Sequence, residues 1–302
     1  MLLSEAASRY PGKNIYAFFN DIDADKIEHL KTLVHSEAGN YHISFHNEDC
    51  NQLIRELWQK ISGCKDTHYL LVYDPYDAAI DWEAVMPFLN GWGEVIINHM
   101  ISDLIRAVGS VKRPEAVNKY ESTYQRALVE LIGWGSDRKK YEECIEDIIR
   151  SLRELSGKKY YIASFPFFNR INALVYDLIL CTGNDEGFKL FKKTAWQVFG
   201  GSSSNKNTHG QDRQGTFDFF PKDFADEYCY NVDDIAYYLQ SKFAGRINIP
   251  LLEVRDTLDN HPVFPSDSFM NEIKSVLRQK YGAVISQSTI TFSSRRFSHE
   301  EG

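Results

Sequence analysis

The sequence predicts an α/β fold, a mainly parallel sheet wrapped by helices, with a smaller domain of different character behind it. Three observations carry this. Short apolar runs alternate with helically spaced segments over residues 14–100, the pattern of βαβ units, whose parallel strands need a crossover helix. One run, His68 to Tyr73, is apolar at successive positions, as a strand buried between two helix layers requires. Residues 223–302 instead contain three helical segments and then two short β runs.

Each element follows from local pattern. Residues 14–19 (NIYAFF) are β-rich, uncharged and preceded by Pro-Gly, which predicts a short buried strand. Ile27, Leu30 and Val34 recur at helical spacing. Tyr41 to Phe45 is a second strand, and Leu53, Ile54, Leu57 and Ile61 mark the helix behind it. The third strand, His68 to Tyr73, stops at Asp74-Pro75-Tyr76. Residues 82–90 read as a helix and Glu94 to Met100 as the fourth strand. Residues 101–157 are helical and charge-rich, an insertion over one edge of the sheet. Lys159 to Phe165 and Ala173 to Thr182 suit an antiparallel pair closing the sheet. Asn184-Asp185-Glu186-Gly187 reads as the cap of a helix running to Phe199.

Residues 200–216 are rich in Gly, Ser and Asn and predict a mobile loop. Helices follow at 231–243, after Ile247-Asn248-Ile249-Pro250 to about 259, and at 266–280, with β runs at 283–286 and 289–292. Three helices and a hairpin in that order predict a winged helix-turn-helix. The expected division is a sheet domain over 1–222 and a winged helix-turn-helix domain over 223–302.

Composition narrows the function classes. The 302 residues are 43 % hydrophobic and 25 % charged, as in a soluble globular protein. No stretch of eighteen apolar residues occurs, and MLLSEAASRYPG lacks a basic n-region, so neither a spanning helix nor a signal peptide is expected. The five cysteines have no C-x-x-C spacing, which argues against a zinc ribbon or redox motif and for reduced thiols in a cytoplasmic protein. The net charge of −8 means that nucleic-acid binding must rest on a local patch.

In an open α/β sheet, ligands bind beyond the carboxyl ends of the strands. Polar residues stand at four such ends: Asp21 and Asp23, Asp49, Asp74, and Asn98. An acid after one strand suits the ribose hydroxyls of a nucleoside cofactor, and Asp49 after the next suits an adenine amino group. Any single strand-end acid is more often a helix N-cap than a ligand; their recurrence at one edge raises the combination. Asp74-Pro75-Tyr76 is the sharpest motif. In enzymes that methylate amines, a related Asp-Pro-Pro-Tyr loop accepts hydrogen bonds from the target amine and stacks an aromatic on the base. The bland alternative is a turn in which proline ends the strand.

His42 and His46 share a strand face with Asp49 nearby, but a metal needs further converging ligands, so no metal site is expected. The third C-terminal helix carries Lys274, Arg278 and Lys280, and the wing ends in Arg295-Arg296, candidates for phosphate contacts. Residues 226–302 hold 8 Lys or Arg against 11 Asp or Glu, a net of −3, which suits a protein-docking module equally well.

The segments AFFNDIDADKIEHL, LLVYDPYDAAIDW, EVIINHM, ALVYDLILCTGNDEGFKLFKKTAW, IKSVLRQKYGAVI and TITF, in that order, resemble the three-Cys-motif partner (TcmP) family across nearly the whole chain. The resemblance implies a Rossmann-like, class I methyltransferase-type sheet with a helical insertion and a C-terminal winged helix-turn-helix domain. It implies S-adenosylmethionine as cofactor, with Asp21 and Asp23 at the ribose and Asp49 at the adenine. Asp74, Pro75 and Tyr76 fall on the family's Asp-Pro-aromatic loop. A partner bearing three cysteines, an iron–sulfur radical-type protein, is also implied. The family opens with a strand and a Gly-rich loop for the methionine end of the cofactor, whereas MLLSEAASRYPG matches the helix after that loop. The expected sheet therefore has its first strand absent. Two functions follow from the resemblance: methylation of a nucleobase or nucleic-acid-linked amine, or a non-catalytic adaptor that docks the three-Cys partner and nucleic acid.

Overall fold

The computed structural model describes residues 2–35, 38–75, 79–102, 113–135, 137–153, 159–169, 173–206 and 229–294. The chain is α/β and divides into two compact units, Met1–Thr67 with Asp81–Pro87, and His68–Ile80 with Phe88–Gly302.

In the first unit, helix α1 (Leu2–Arg9) precedes strand β1 (Ile15–Asn20), helix α2 (Ala24–Leu33), strand β2 (Tyr41–His46) and helix α3 (Cys50–Ile61). β1 and β2 pair in parallel, Ile15 opposite Tyr41 through Asn20 opposite His46. Ala7, Ala17 and Tyr41 form a small core, with Ile15, Phe19 and Ile43 packed on it. The opposite face of β1 differs from the buried strand its composition suggested. Tyr16 is 61 % exposed, and it stacks on His42 at 4.7 Å between ring centroids. Phe18, also exposed, lies against the ring of His46 at 6.0 Å. Uniform apolarity marks a strand but does not say how many of its faces are covered.

The second unit holds strands β3 (Tyr69–Tyr73), β4 (Gly93–His99), β5 (Tyr161–Phe168) and β6 (Leu174–Thr182) in the order β3-β4-β6-β5. β3 and β4 are parallel, whereas β6 runs antiparallel to both β4 and β5. The expected antiparallel late pair is therefore present, with β6 inside the sheet and β5 at its edge. β1 and β2 belong to a separate two-stranded sheet, so the parallel pairs lie in two sheets, where one had been expected. β3 also departs from expectation. Leu70 and Val72 are each 59 % exposed, so one face of this run is open despite its apolar residues. At the strand's start Tyr69 lies over Gly93, where any Cβ would fall 2.4 Å from the ring.

Helix α4 (Trp82–Asn90) leads into β4. The described part of the insertion is helical, as expected: α5 (Pro114–Tyr124), α6 (Leu128–Trp134) and α7 (Arg138–Arg153). Tyr141, Cys144, Ile145, Ile148 and Ile149 are the buried apolar stripe of α7, at spacings of three and four that keep them on one face. Helix α8 (Asp185–Val198) follows β6, and Asn184 caps it by accepting from the Glu186 amide, as its sequence indicates.

Residues 200–206, expected to be mobile, are instead tied down. Ser203 and Ser204 are buried, and the Asn205 amide exchanges two hydrogen bonds with the Phe168 backbone. The rest of that stretch, 207–216, lies outside the described residues.

Last come α9 (Val232–Phe243), β7 (Ile249–Pro250), α10 (Leu251–Asp259), α11 (Met270–Gln279), β8 (Val284–Ile285) and β9 (Thr289–Thr291). The three short strands form one sheet in the order β7-β9-β8. α11 begins four residues later than its pattern suggests, because Phe269 sits at φ +62° and interrupts the helix. These elements share one core with β5 and α8, in which Phe165, Phe188 and Trp196 join Leu239, Leu258, Leu277 and Phe292. The Trp196 indole donates to the Val263 carbonyl at 2.9 Å. Lys192, fully buried, donates from Nζ to the carbonyls of Leu258, Asp259 and His261 at 2.7–3.0 Å, satisfying acceptors left over at the end of α10.

Candidate functional site

In the first unit the carboxyl ends of β1 and β2 are joined by side-chain amides. Asn20 Nδ2 donates to the Glu48 carbonyl at 3.0 Å, while its Oδ1 accepts from the Glu48 amide at 3.2 Å. Asn47 Nδ2 donates to the carbonyls of Asp21 and Ile22 at 2.8 and 2.9 Å. These asparagines hold the loop that carries Asp21. Asp21 Oδ1 accepts the Asp23 amide at 2.8 Å and Oδ2 faces Lys26 Nζ at 3.3 Å. The amide of Asp23, reinforced by Lys26 against a partial burial penalty, holds the Asp21 carboxyl below its usual range. It is therefore an ionised acceptor at neutral pH.

A cleft of about 250 Å³ opens here, lined by Phe19, Asn20, Asp21, Lys26, Ile27 and neighbouring α2 residues. Asp23 and Asp49 do not line it. Asp23 is the N-cap of α2, accepting the Asp25 amide at 3.0 Å, and Asp49 is the N-cap of α3, accepting the Gln52 amide at 3.0 Å. Of the three acids read as cofactor ligands, the cleft takes in Asp21, and the other two have capping roles.

In the second unit, Asp74 and Asn98 stand at the carboxyl ends of the adjacent parallel strands β3 and β4. Asn98 Nδ2 donates to Asp74 Oδ1 at 2.6 Å, which fixes the exposed carboxylate, and Pro75 is buried behind it. Tyr76 lies outside the described residues. An aromatic missed in the sequence stands nearby: burial and then the charge of Asp74 push the Tyr176 phenol up. Tyr176 stacks on Phe167 at 4.8 Å. Its only sequence signal was a tyrosine inside the apolar run ALVYDLILCT.

Beneath this edge lies a buried polar cluster. Arg138 Nη2 donates to Asp177 Oδ1 at 2.5 Å, and Arg138 also pairs with Glu142 one turn along α7. Burial, then the charge of Asp177, pushes the Glu142 carboxyl up, and burial raises its coupled neighbour Asp177 as well. One guanidinium faces two carboxyl groups at a depth that disfavours an unbalanced second negative charge. His99, fully buried, meets the Tyr124 hydroxyl at 2.7 Å; burial and then the Arg138 charge push it down to about 3, so it is neutral.

Among the residues read as nucleic-acid contacts, Lys274 and Arg278 are one turn apart on α11, with Arg278 exposed and Lys274 half-buried. Lys280 pairs with Asp233 at 2.6 Å and is engaged within the fold. Arg295 and Arg296 lie outside the described residues. Among the described residues no group of three or more His, Cys, Asp or Glu is placed to hold a metal, and no helix is long and apolar enough to cross a membrane. Comparison with protein-family models, curated proteins and solved structures yields no match to the chain.

Proposed function

We propose that this chain is a three-Cys-motif partner protein, an S-adenosylmethionine-dependent methyltransferase acting on a nucleobase or nucleic-acid-linked amine. The observation that carries the reading is the Asp74–Asn98 contact at the carboxyl ends of two parallel strands. A carboxylate held by one oxygen keeps the other for an amine donor, and Tyr176 beside it offers an aromatic surface. Methyl transfer needs mainly in-line positioning of nitrogen and methyl, so a site with few titratable groups suits it. The strand order β3-β4-β6-β5, with β6 reversed between two neighbours, suits the closing half of a Rossmann-like methyltransferase sheet.

The first unit supports the cofactor part of the reading. Asp21 is ionised and lines a cleft of a size for a nucleoside, so its acceptor character fits ribose hydroxyls. S-adenosylmethionine would supply an electrophilic methyl group, and the first unit's share would be to hold its nucleoside through Asp21. The three C-terminal helices and small sheet, read as a winged helix, would present Lys274 and Arg278 to phosphates. The test is methylation of bulk nucleic acid in cells expressing wild type or Asp74→Ala. Methylated base that disappears in the variant supports the reading, and equal levels in both overturn it.

A second reading, a non-catalytic adaptor for an iron–sulfur three-Cys partner, is favoured by the capping roles of Asp23 and Asp49 and by the exposed Leu70 and Val72. Capture of that partner by Asp74→Ala as well as by wild type, with no methylated product from either, would favour it.

A further inference from the structure

A second cleft, of about 300 Å³, lies between α9 and the turn after α10, apart from the Asp21 and Asp74 sites. Its wall is largely aromatic, from Tyr230, Tyr237, Tyr238, His261 and Phe264, with Asp234 and Ser241 completing it. The size is at the small end of ligand pockets, roughly 300–1,000 Å³.

The wall is built rather than incidental. His261 stacks on Phe264 at 3.9 Å with the rings nearly parallel, and its Nδ1 accepts the amides of Val263 and Phe264 at 3.2 and 3.1 Å. Tyr238 meets both rings edge-on, at 4.8 and 5.5 Å, and Tyr230 meets Phe264 edge-on at 5.3 Å. Burial, then the charges of Lys192 and Lys242, pushes His261 down to about 4, so the imidazole adds no positive charge at neutral pH. Asp234 is oriented as well: its Oδ2 accepts the Asn231 amide at 2.7 Å in the capping box of α9.

Aromatic faces carry negative quadrupole, and a carboxylate adds to it; such a wall repels anions and attracts weakly hydrated cations. One ring of the wall already has a cation beside it, Lys242 Nζ at 5.7 Å from the Tyr238 centroid. An alkylated ammonium group is the best match. Its methyls bury against rings, it sheds water at little cost, and its charge is met by Asp234.

We propose that the α9 cleft binds a methylated ammonium group. That chemistry occurs on a free quaternary amine and on a trimethylated lysine side chain, and the test separates the two.

Binding to the full chain would be measured by calorimetry for choline, for its uncharged isostere 3,3-dimethylbutan-1-ol, and for N-acetyl-trimethyllysine amide. The expected result is at least a tenfold preference for choline over the isostere. A stronger response to the trimethyllysine compound would assign the cleft to a protein side chain, and a weaker one to a free amine. Tyr237→Leu, at a partly exposed ring outside the core cluster, should weaken binding at least tenfold. Asp234→Asn keeps an acceptor for the Asn231 amide and should weaken binding several-fold. Equal binding of choline and its isostere would overturn the proposal. So would undiminished choline binding by both variants, or no binding at all by folded wild type.

Discussion

Glu142 gives the sharpest stability test. In the native protein its carboxyl is raised above the ordinary value of 4.5 by burial and by Asp177, while the unfolded chain returns it to that value. Above pH 4.5 the unfolded state sheds this proton and the native state keeps it, so this group's contribution to stability falls as pH rises. The slope for one proton is about 1.4 kcal/mol per pH unit. Glu142→Gln retains an N–H donor towards Asp177 and removes the titration. Urea unfolding of both proteins at pH 5.5, 6.5 and 7.5 gives the difference between them, which reports the Glu142–Asp177 pair together. Relative to the variant, wild type should lose stability progressively from pH 5.5 to 7.5, bounded by the one-proton slope. A difference that stays constant with pH would refute the raised Glu142 carboxyl and the argument from depth with it.

Three further outcomes follow from the packing and surface. Gly93→Ala would drive a methyl group into the Tyr69 ring and backbone, and that ring is held by a 2.6 Å bond from its hydroxyl to the Phe88 carbonyl; a loss of about 1–3 kcal/mol in denaturant unfolding is expected. Lys192→Met would strand three carbonyls around α10 while sparing the burial of a charge, for a net loss of about 3 kcal/mol, read by thermal unfolding. Lys274→Glu with Arg278→Glu should weaken nucleic-acid binding at low salt and flatten its salt dependence, as followed by fluorescence anisotropy.

Much of the secondary structure was legible because β1 to β4 are short apolar runs ending in polar residues. Asn184 and the strand-end acids Asp23 and Asp49 have short side chains that compete for nearby amides, a local property a sequence displays. Coverage was not legible. Leu70, Val72, Tyr16 and Phe18 read as buried, yet they are exposed, because burial depends on which distant element packs on each face. Pairing was hidden for the same reason: β1–β2 and β3–β4 are both parallel but lie in different sheets. The clearest overlooked signal was Asp177. An acid within ALVYDLILCT required a buried cation, and Arg138 lies 39 residues away. Arg138–Glu142 has the helical spacing of four that a solvent-exposed ion pair also has, so spacing alone does not mark it as buried. Asp74 with Asn98 at neighbouring strand ends followed from their order along the chain, whereas Tyr176 required the reversed β6 to become visible.

The proposed nucleoside site at Asp21 is tested most directly by calorimetry of S-adenosylhomocysteine against wild type and Asp21→Asn, a variant that retains an acceptor for the Asp23 amide. Binding by wild type, weakened at least tenfold in Asp21→Asn and unchanged in Asp74→Asn, is the predicted result. Absence of binding by folded wild type, or equal binding by Asp21→Asn, would contradict it.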